Sequence, residues 1–325
     1  MIMENTTQNR LRTLLLDPLT LAILASLALL AAGEAISPGF AQGGQIVRLL
    51  TVAAILGVVA AGQNLVILGG REGIDLSVGA MISLGAVLAG NAMNGANSGI
   101  GMALVMALGV PFIVGLVNGL GVTFLRIPPL VMTLGMTAVL QGALVVYSQG
   151  VPSGRAAPAL ANFINRPLAF GIPGVLFVWV AIALLMWFLL RRTAFGHAVY
   201  AMGANERAAR LVGIPVNRVR VLLYGLSGLF AGLTGLLVIG YTGSSFISVG
   251  DQYVLPSVIA VVIGGTSLAG GIGGYWGTVA GAVALTLLQS VLITLNMDFW
   301  ARQLVFGITL LGMMLLYGRQ KQLRV

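Results

Sequence analysis

Long apolar runs separated by short polar segments set the pattern of this chain. Ten such runs can be drawn, at about residues 17–36, 46–69, 77–95, 100–124, 129–148, 174–190, 221–241, 253–268, 275–296 and 300–317. At a rise of ~1.5 Å per residue, each comes close to or exceeds a hydrocarbon layer ~30 Å thick. None alternates apolar and polar residues as a strand of a membrane barrel would. The pattern predicts an all-α polytopic membrane protein with about ten transmembrane helices. They form a single transmembrane domain over 1–325, with a polar segment at 1–16 and longer connections at 149–173 and 191–220.

Composition supports that picture. The chain is 58% hydrophobic and only 8% charged, with a mean hydropathy of +1.02, so a soluble fold could not hide its apolar surface. Its 46 glycines are poor helix material in water, but in lipid they let helix backbones pack closely. Small-xxx-small spacings occur at Gly115/Gly119, Gly228/Gly232, Gly270/Gly274 and Gly277/Gly281; they read as dense packing. There is no cysteine, hence no disulfide framework or thiolate chemistry, and the single histidine, His197, cannot build a metal site.

The net charge of +9 is explained by topology, not by nucleic acid. With the N-terminus in the cytoplasm, only Arg48, Arg155, Arg166 and Arg302 fall in outside segments, and the other thirteen of the seventeen basic residues fall inside. The positive-inside rule then places both termini, 1–16 and 191–220 in the cytoplasm and 149–173 outside. Arg10 and Arg12 ahead of an apolar run resemble a secretory signal; nine further runs favour an uncleaved first helix, with Glu34 near its outer end. The proline-rich 149–173 segment reads as an ordered external loop or short surface helix. Val-Ile-Leu-Gly-Gly at 66–70 and Val-Val-Ile-Gly-Gly at 261–265 are a local self-similarity of the kind found in repeat-built transporters.

One polar stretch, GANERAARLVGIPVNRVR at 203–220, stands out. Asn205 is a good N-cap, Glu206 suits the positive end of a helix dipole, and Arg210 suits the negative end. Gly213 can end the helix in the left-handed conformation, Pro215 stops it, and Asn217 can cap the next membrane helix. Ala208, Leu211 and Val212 share one face; Arg207 and Arg210 share another. A two-turn helix over 206–212 cannot hold itself in water. It is either a basic loop on anionic headgroups or a docking element for a cytoplasmic partner, and the capped helix, the Ala208/Ala209 pair and Glu206 favour docking.

No motor is visible. The single lysine, Lys321, follows no glycine-rich loop, so a Walker-type phosphate loop is excluded. Glu72 and Asp75 fall at a predicted helix boundary, and Asp251 and Asp298 at outer boundaries, which gives little support to a proton relay. The polar residues left inside the runs are neutral: Gln63, Asn64, Asn118, Thr133, Gln141 and Gln289. Singly they suit interhelical hydrogen bonding. As a set, Gln63, Asn64, Asn118, Gln141 and Gln289 are candidates for a translocation path taking a neutral, hydroxyl-rich solute.

Three stretches carry a family resemblance: GQNLVILGGREGIDLSVGAMISLGAVLAG at 62–90, GANERAARLVGIPVNRVRVLLYGLSGLFAGLTGLL at 203–237, and AVVIGGTSLAGGIGGYWGTVAGAVALTLLQSVL at 260–292. The chain resembles the membrane permease subunit of bacterial ABC importers for ribose, xylose, arabinose and related sugars. In that family the first motif more often runs from its glycines straight into Ile-Asp-Leu-Ser-Val-Gly; here Arg71-Glu72 interrupts it. The resemblance implies that 203–213 is the coupling helix docking on a cytoplasmic ATPase, through Gly203, Asn205, Glu206, Arg207, Ala208, Ala209, Arg210 and Gly213. It also implies a periplasmic sugar-binding protein, a second permease subunit (the same chain or a related one), and an ATPase that is often a tandem fusion. ATP and Mg would sit on that ATPase, with no cofactor or metal in this chain, which would lie in the bacterial inner membrane. Asp75, Ser77, Gly79, Gly264 and Gly265 form the structural motif, with Asp75 or Ser77 capping the third membrane helix and Gly79 allowing close packing. A permease of the same architecture for branched-chain amino acids or nucleosides stays open, as does, from another class, an ion-coupled carrier.

Overall fold

A computed structural model describes residues 17–70, 72–151 and 154–320, with side chains to 312. The 1–16 segment with Arg10 and Arg12, Arg71 of the interrupted motif, Pro152 and Lys321 lie outside the described residues. Ten helices coincide with the ten apolar runs. They are α1 (Pro18–Ile36), α2 (Gly43–Leu68), α3 (Val78–Met93), α4 (Ile100–Thr123), α5 (Pro129–Ser148), α7 (Gly174–Arg192), α10 (Val216–Thr242), α11 (Val254–Ile263), α12 (Tyr275–Thr294) and α13 (Phe299–Gln320). Seven are long and apolar enough to cross a membrane. The apolar stretches at Val78–Met93, Asp251–Ile263 and Phe299–Gly312 are shorter.

The connections meet expectation in one respect and depart from it in two. The 149–173 segment holds the expected short surface helix, α6 (Pro158–Asn165), but adds a small antiparallel ribbon, β1 (Pro167–Ala169) with β2 (Ile172–Pro173). The 191–220 segment holds two helices instead of one: α8 (Ala194–Ala204) and α9 (Glu206–Leu211). Thr193 starts α8 by accepting from Gly196 N–H at 3.1 Å, and α8 then buries Ala198, Val199 and Met202.

Glycine decides the packing. On α4, a Cβ at Gly115 or Gly119 would meet the α10 backbone at Tyr224 and Val221; on α10, one at Gly228 or Gly232 would meet the carbonyls of Pro111 and Ala107. The two small-xxx-small pairs therefore face each other, and α4 and α10 touch backbone to backbone. Gly277 and Gly281 do the same for α12 against α11, at Gly264 and Ala260. At the centre of the bundle, 89% of the most apolar window of α2 and 78% of that of α10 are buried, against 11% for α1 and 17% for α5.

The glycine-glycine self-similarity extends to the backbone. Gly69 N–H donates to Leu65 and Gly70 N–H to Ile67; Gly264 N–H donates to Ala260 and Gly265 N–H to Val262, an identical offset in both helices. Gly70 and Gly265 both take positive φ, +75° and +82°. Each pair ends a helix and leads through a loop into the next, α2 into α3 and α11 into α12.

Candidate functional site

Asn205, extended at φ −157°, caps α9 by accepting from Ala208 N–H at 3.1 Å. At the other end Gly213 sits at φ +84°, Ile214 N–H donates to Ala209 and Gly213 N–H to Arg210. That is a Schellman motif, which satisfies two carbonyls the helix leaves open. With both ends closed, six residues hold a helix they could not hold alone.

One ion pair fixes α9 to α10 and a second lies within α9. Glu206 Oε2 accepts from Arg220 Nη2 at 2.6 Å, and Oε1 from Arg210 Nη2 at 2.8 Å. Arg220 is 4% exposed. Glu206 therefore points back into the protein and acts as the tether of α9, not as part of its outward face. Arg210 also donates to Asn217 Oδ1 at 2.9 Å. This corrects the expectation for Asn217: α10 begins at Val216 behind Pro215, and Asn217 braces the loop instead of capping. The sequence reading gave Arg220 no role, its only signal being a basic residue that directly precedes an apolar run.

What α9 presents outward is apolar with basic flanks. Leu211 is 88% and Val212 76% exposed, and Ala208, Arg207 and Arg218 are exposed beside them, while Ala209 turns inward at 3%. Behind α9, a Cβ on Gly203 would meet the Leu68 carbonyl and Gly271, and Gly70 and Gly270 close the same contact. Gly271 N–H donates to Leu68 O at 3.0 Å, and Tyr200 Oη donates to Gly273 O at 2.9 Å. Burial raises the Tyr200 phenol above its usual pKa, against the pull of Arg191, so it stays a donor. All three sequence motifs thus meet at one backbone junction: the loop after α2, the end of α8, and the loop after α11.

The candidate interior residues have separate partners. Asn64 donates to Thr266 Oγ1 (2.9 Å) and Thr278 Oγ1 (3.0 Å), joining α2 to α12 and its preceding loop. Asn118 donates to Ser77 Oγ at 2.9 Å. Asp75 is fully buried: Oδ1 accepts from Ser77 N–H (3.0 Å) and Ser77 Oγ (2.6 Å), and Oδ2 from Ser227 Oγ (2.8 Å) on α10. The capping expectation is corrected here. Ser77 holds the N-cap position of α3 without a capping bond, because its hydroxyl is spent on Asp75, which itself closes a turn two residues ahead. Gly79 packs against Val254 and the Gly250 carbonyl, leaving no room for a side chain. Gln63 is buried with neither amide atom hydrogen-bonded, Thr133 is buried and bonds back to Pro129 O, and Gln141 and Gln289 are half-buried.

The fold and this site define a multi-pass helical membrane protein carrying a pinned, outward-presented helix at one end of its bundle. Residues 45–314 match the family model described as "Branched-chain amino acid transport system / permease component". The chain belongs to this permease family. It is 34% identical over 296 residues (89% of this chain, 90% of the other) to the ribose import permease protein RbsC of Escherichia coli K12. It is 36% identical over 283 residues (86% and 87%) to RbsC of Bacillus subtilis strain 168. Against the autoinducer 2 import system permease protein LsrC of Yersinia pestis strain Pestoides F it is 33% identical over 298 residues (92% and 84%). No solved structure matches.

Proposed function

We propose that this chain is the membrane-spanning permease subunit of an ATP-binding-cassette importer in the bacterial inner membrane. It forms the path for a neutral monosaccharide or similar hydroxyl-rich solute delivered by a periplasmic binding protein. A separate cytoplasmic ATPase, which holds ATP and Mg and is often a tandem fusion, drives it; the chain itself catalyses nothing. The observation that carries this reading is α9: capped at both ends, tethered by Glu206–Arg220, and turning Leu211, Val212 and Arg207 outward. A helix held rigid against the bundle while its apolar face stays open suits a partner that pushes on it. Relatives named for the import of ribose and of autoinducer 2 support a sugar-like cargo; the family description keeps a branched-chain amino acid as the alternative.

In this reading ATP binding moves the docking groove, α9 moves with it, and two contacts pass the motion on. Arg220 hands it to α10, and Gly203 hands it to the loops after α2 and α11. The test is co-purification from native membranes in mild detergent with Leu211→Asp and Arg207→Glu variants. Both side chains are exposed, so the fold should hold while a nucleotide-binding subunit is lost. Retention of that subunit, with uptake intact, would sink the assignment.

A further inference from the structure

Two cavities lie along the seam between α1 and α12. The first, of about 340 Å³, opens at the end of the bundle that carries α9 and is lined by Asp17, Leu19, Trp187, Arg191, Tyr200 and Trp276. Part of its wall is bare backbone: a Cβ on Gly274 would meet nothing nearer than Tyr200 Oη, at 3.7 Å. The second, of about 160 Å³, is a slot walled mainly by aliphatic side chains of α1, α2 and α12, among them Leu27, Leu30, Leu49, Val283 and Leu287. The Ser26 hydroxyl in that slot is spent on Ala22 O at 2.8 Å.

The two cavities are in line. Leu19 of the first is followed at seven and eleven residues by Ser26 and Leu30 of the second; Trp276 is followed at the same offsets by Val283 and Leu287. At ~3.6 residues per turn each set of three shares one helix face, so α1 and α12 run parallel and the slot lies ~10–16 Å further into the membrane. One leaflet of a hydrocarbon layer ~30 Å thick is ~15 Å deep, the same dimension.

The chemistry changes over that depth as a lipid does. At the mouth, Arg191 is exposed with its guanidinium 5.8 Å from the Tyr200 ring centre, and Arg192 stands 5.5 Å from that of Trp187. Trp187 and Trp276 are also exposed, as aromatic rings are at headgroup level. A basic pocket between membrane helices on such a face suits a lipid phosphate. Asp17 lines the same cavity, and among the described residues no ion pair joins it to Arg191. A cation and a carboxylate held apart in one cavity suit a headgroup that carries both signs. We infer that this seam binds an aminophospholipid of the leaflet on the α9 side. Its phosphate lies on Arg191, its ammonium donates to Asp17, and one acyl chain descends into the slot. The lipid then ties α1, only 11% buried over its most apolar window, to the rest of the bundle. The site needs neither the cargo nor the ATPase assignment.

The test is lipid retention by the full chain in mild detergent, read by native mass spectrometry against phosphatidylethanolamine, phosphatidylglycerol and phosphatidylcholine. Phosphatidylethanolamine should be held most tightly, and Arg191→Gln should weaken it about tenfold, as the loss of a charge-assisted hydrogen bond does. Asp17→Asn should erase the preference over phosphatidylcholine, whose methylated amine cannot donate, while leaving phosphatidylcholine binding unchanged. Leu27→Trp, entering the slot from an exposed position, should weaken every lipid. All three side chains are exposed, so the variants should fold, and Arg48→Gln at the opposite end should change nothing. Equal retention of the three lipids, or retention indifferent to Arg191 and Asp17, overturns the inference. So does thermal protection by phosphoethanolamine equal to that by the whole lipid, which would make the cavity a site for a soluble phosphate ester. In native membranes, Trp276→p-benzoylphenylalanine should photocrosslink to an aminophospholipid. A crosslink to residues 1–16 of the chain or to another protein, in place of lipid, overturns the inference as well.

Discussion

Helices α10 and α5 are both long, apolar and glycine-bearing, yet they spend their glycines in opposite ways. On α10, Gly228 and Gly232 touch the α4 backbone, and the helix also anchors Arg220 and Ser227 to the polar partners Glu206 and Asp75. On α5, Gly135 and Gly142 face open space. One helix is the spine of the subunit; the other leaves its glycines open. A glycine spacing alone therefore says that something approaches closely, and only the fold says whether the approach has already happened.

The largest effect that would break this comparison is a side chain forced into the spine. Gly232→Leu should prevent the folded subunit from accumulating, because its Cβ would overlap the Ala107 carbonyl, whereas Gly135→Leu should leave accumulation and thermal unfolding in detergent unchanged. Equal accumulation of the two variants would void the distinction. Next in size, Glu206→Ala removes the carboxylate that the buried Arg220 pairs with across α9 and α10. It should cost roughly 2–3 kcal/mol, less than the ~3–5 of a fully buried pair because Glu206 is part-exposed. Recovery of stability in a Glu206→Ala/Arg220→Met double variant would show that the cost is the stranded charge.

Smaller effects sharpen the role of α10. Ser227→Ala removes a donor from the buried Asp75 carboxylate and should destabilise by about 1–3 kcal/mol. An unshifted melting temperature would mean that α10 and the 69–77 loop are not held together there. Smallest is Asn205→Ala, expected at about 1 kcal/mol through the lost cap on α9, with Asn205→Asp close to neutral. Hydrogen exchange confined to 205–213 would report that change.

Much of this was legible along the chain. The ten runs stand where helices stand, and Asn205 and Gly213 close α9 because N-caps and left-handed glycines are chosen by chemistry local to a few residues. The Gly115/Gly119 and Gly228/Gly232 pairs were correctly read as packing. What was not legible involved distant partners. Glu206 read as an outward residue because Arg220 is fourteen positions away. Asp251 read as a boundary residue because nothing local reveals that its segment turns back toward Ser83, some 170 positions earlier in the chain. Ser77 read as a cap because its real acceptor, Asp75, competes for the hydroxyl only once both are buried.

By itself, the sequence determined that this protein spans a membrane as a helical bundle and holds a short capped helix that begins at Glu206. Those properties follow from hydrophobicity, composition and local backbone preference, which need no neighbours. The tertiary structure alone decided which polar groups face inward and which face out. A polar group in an apolar bundle takes its role from whichever partner removes the cost of burying it, and that partner is brought by the fold.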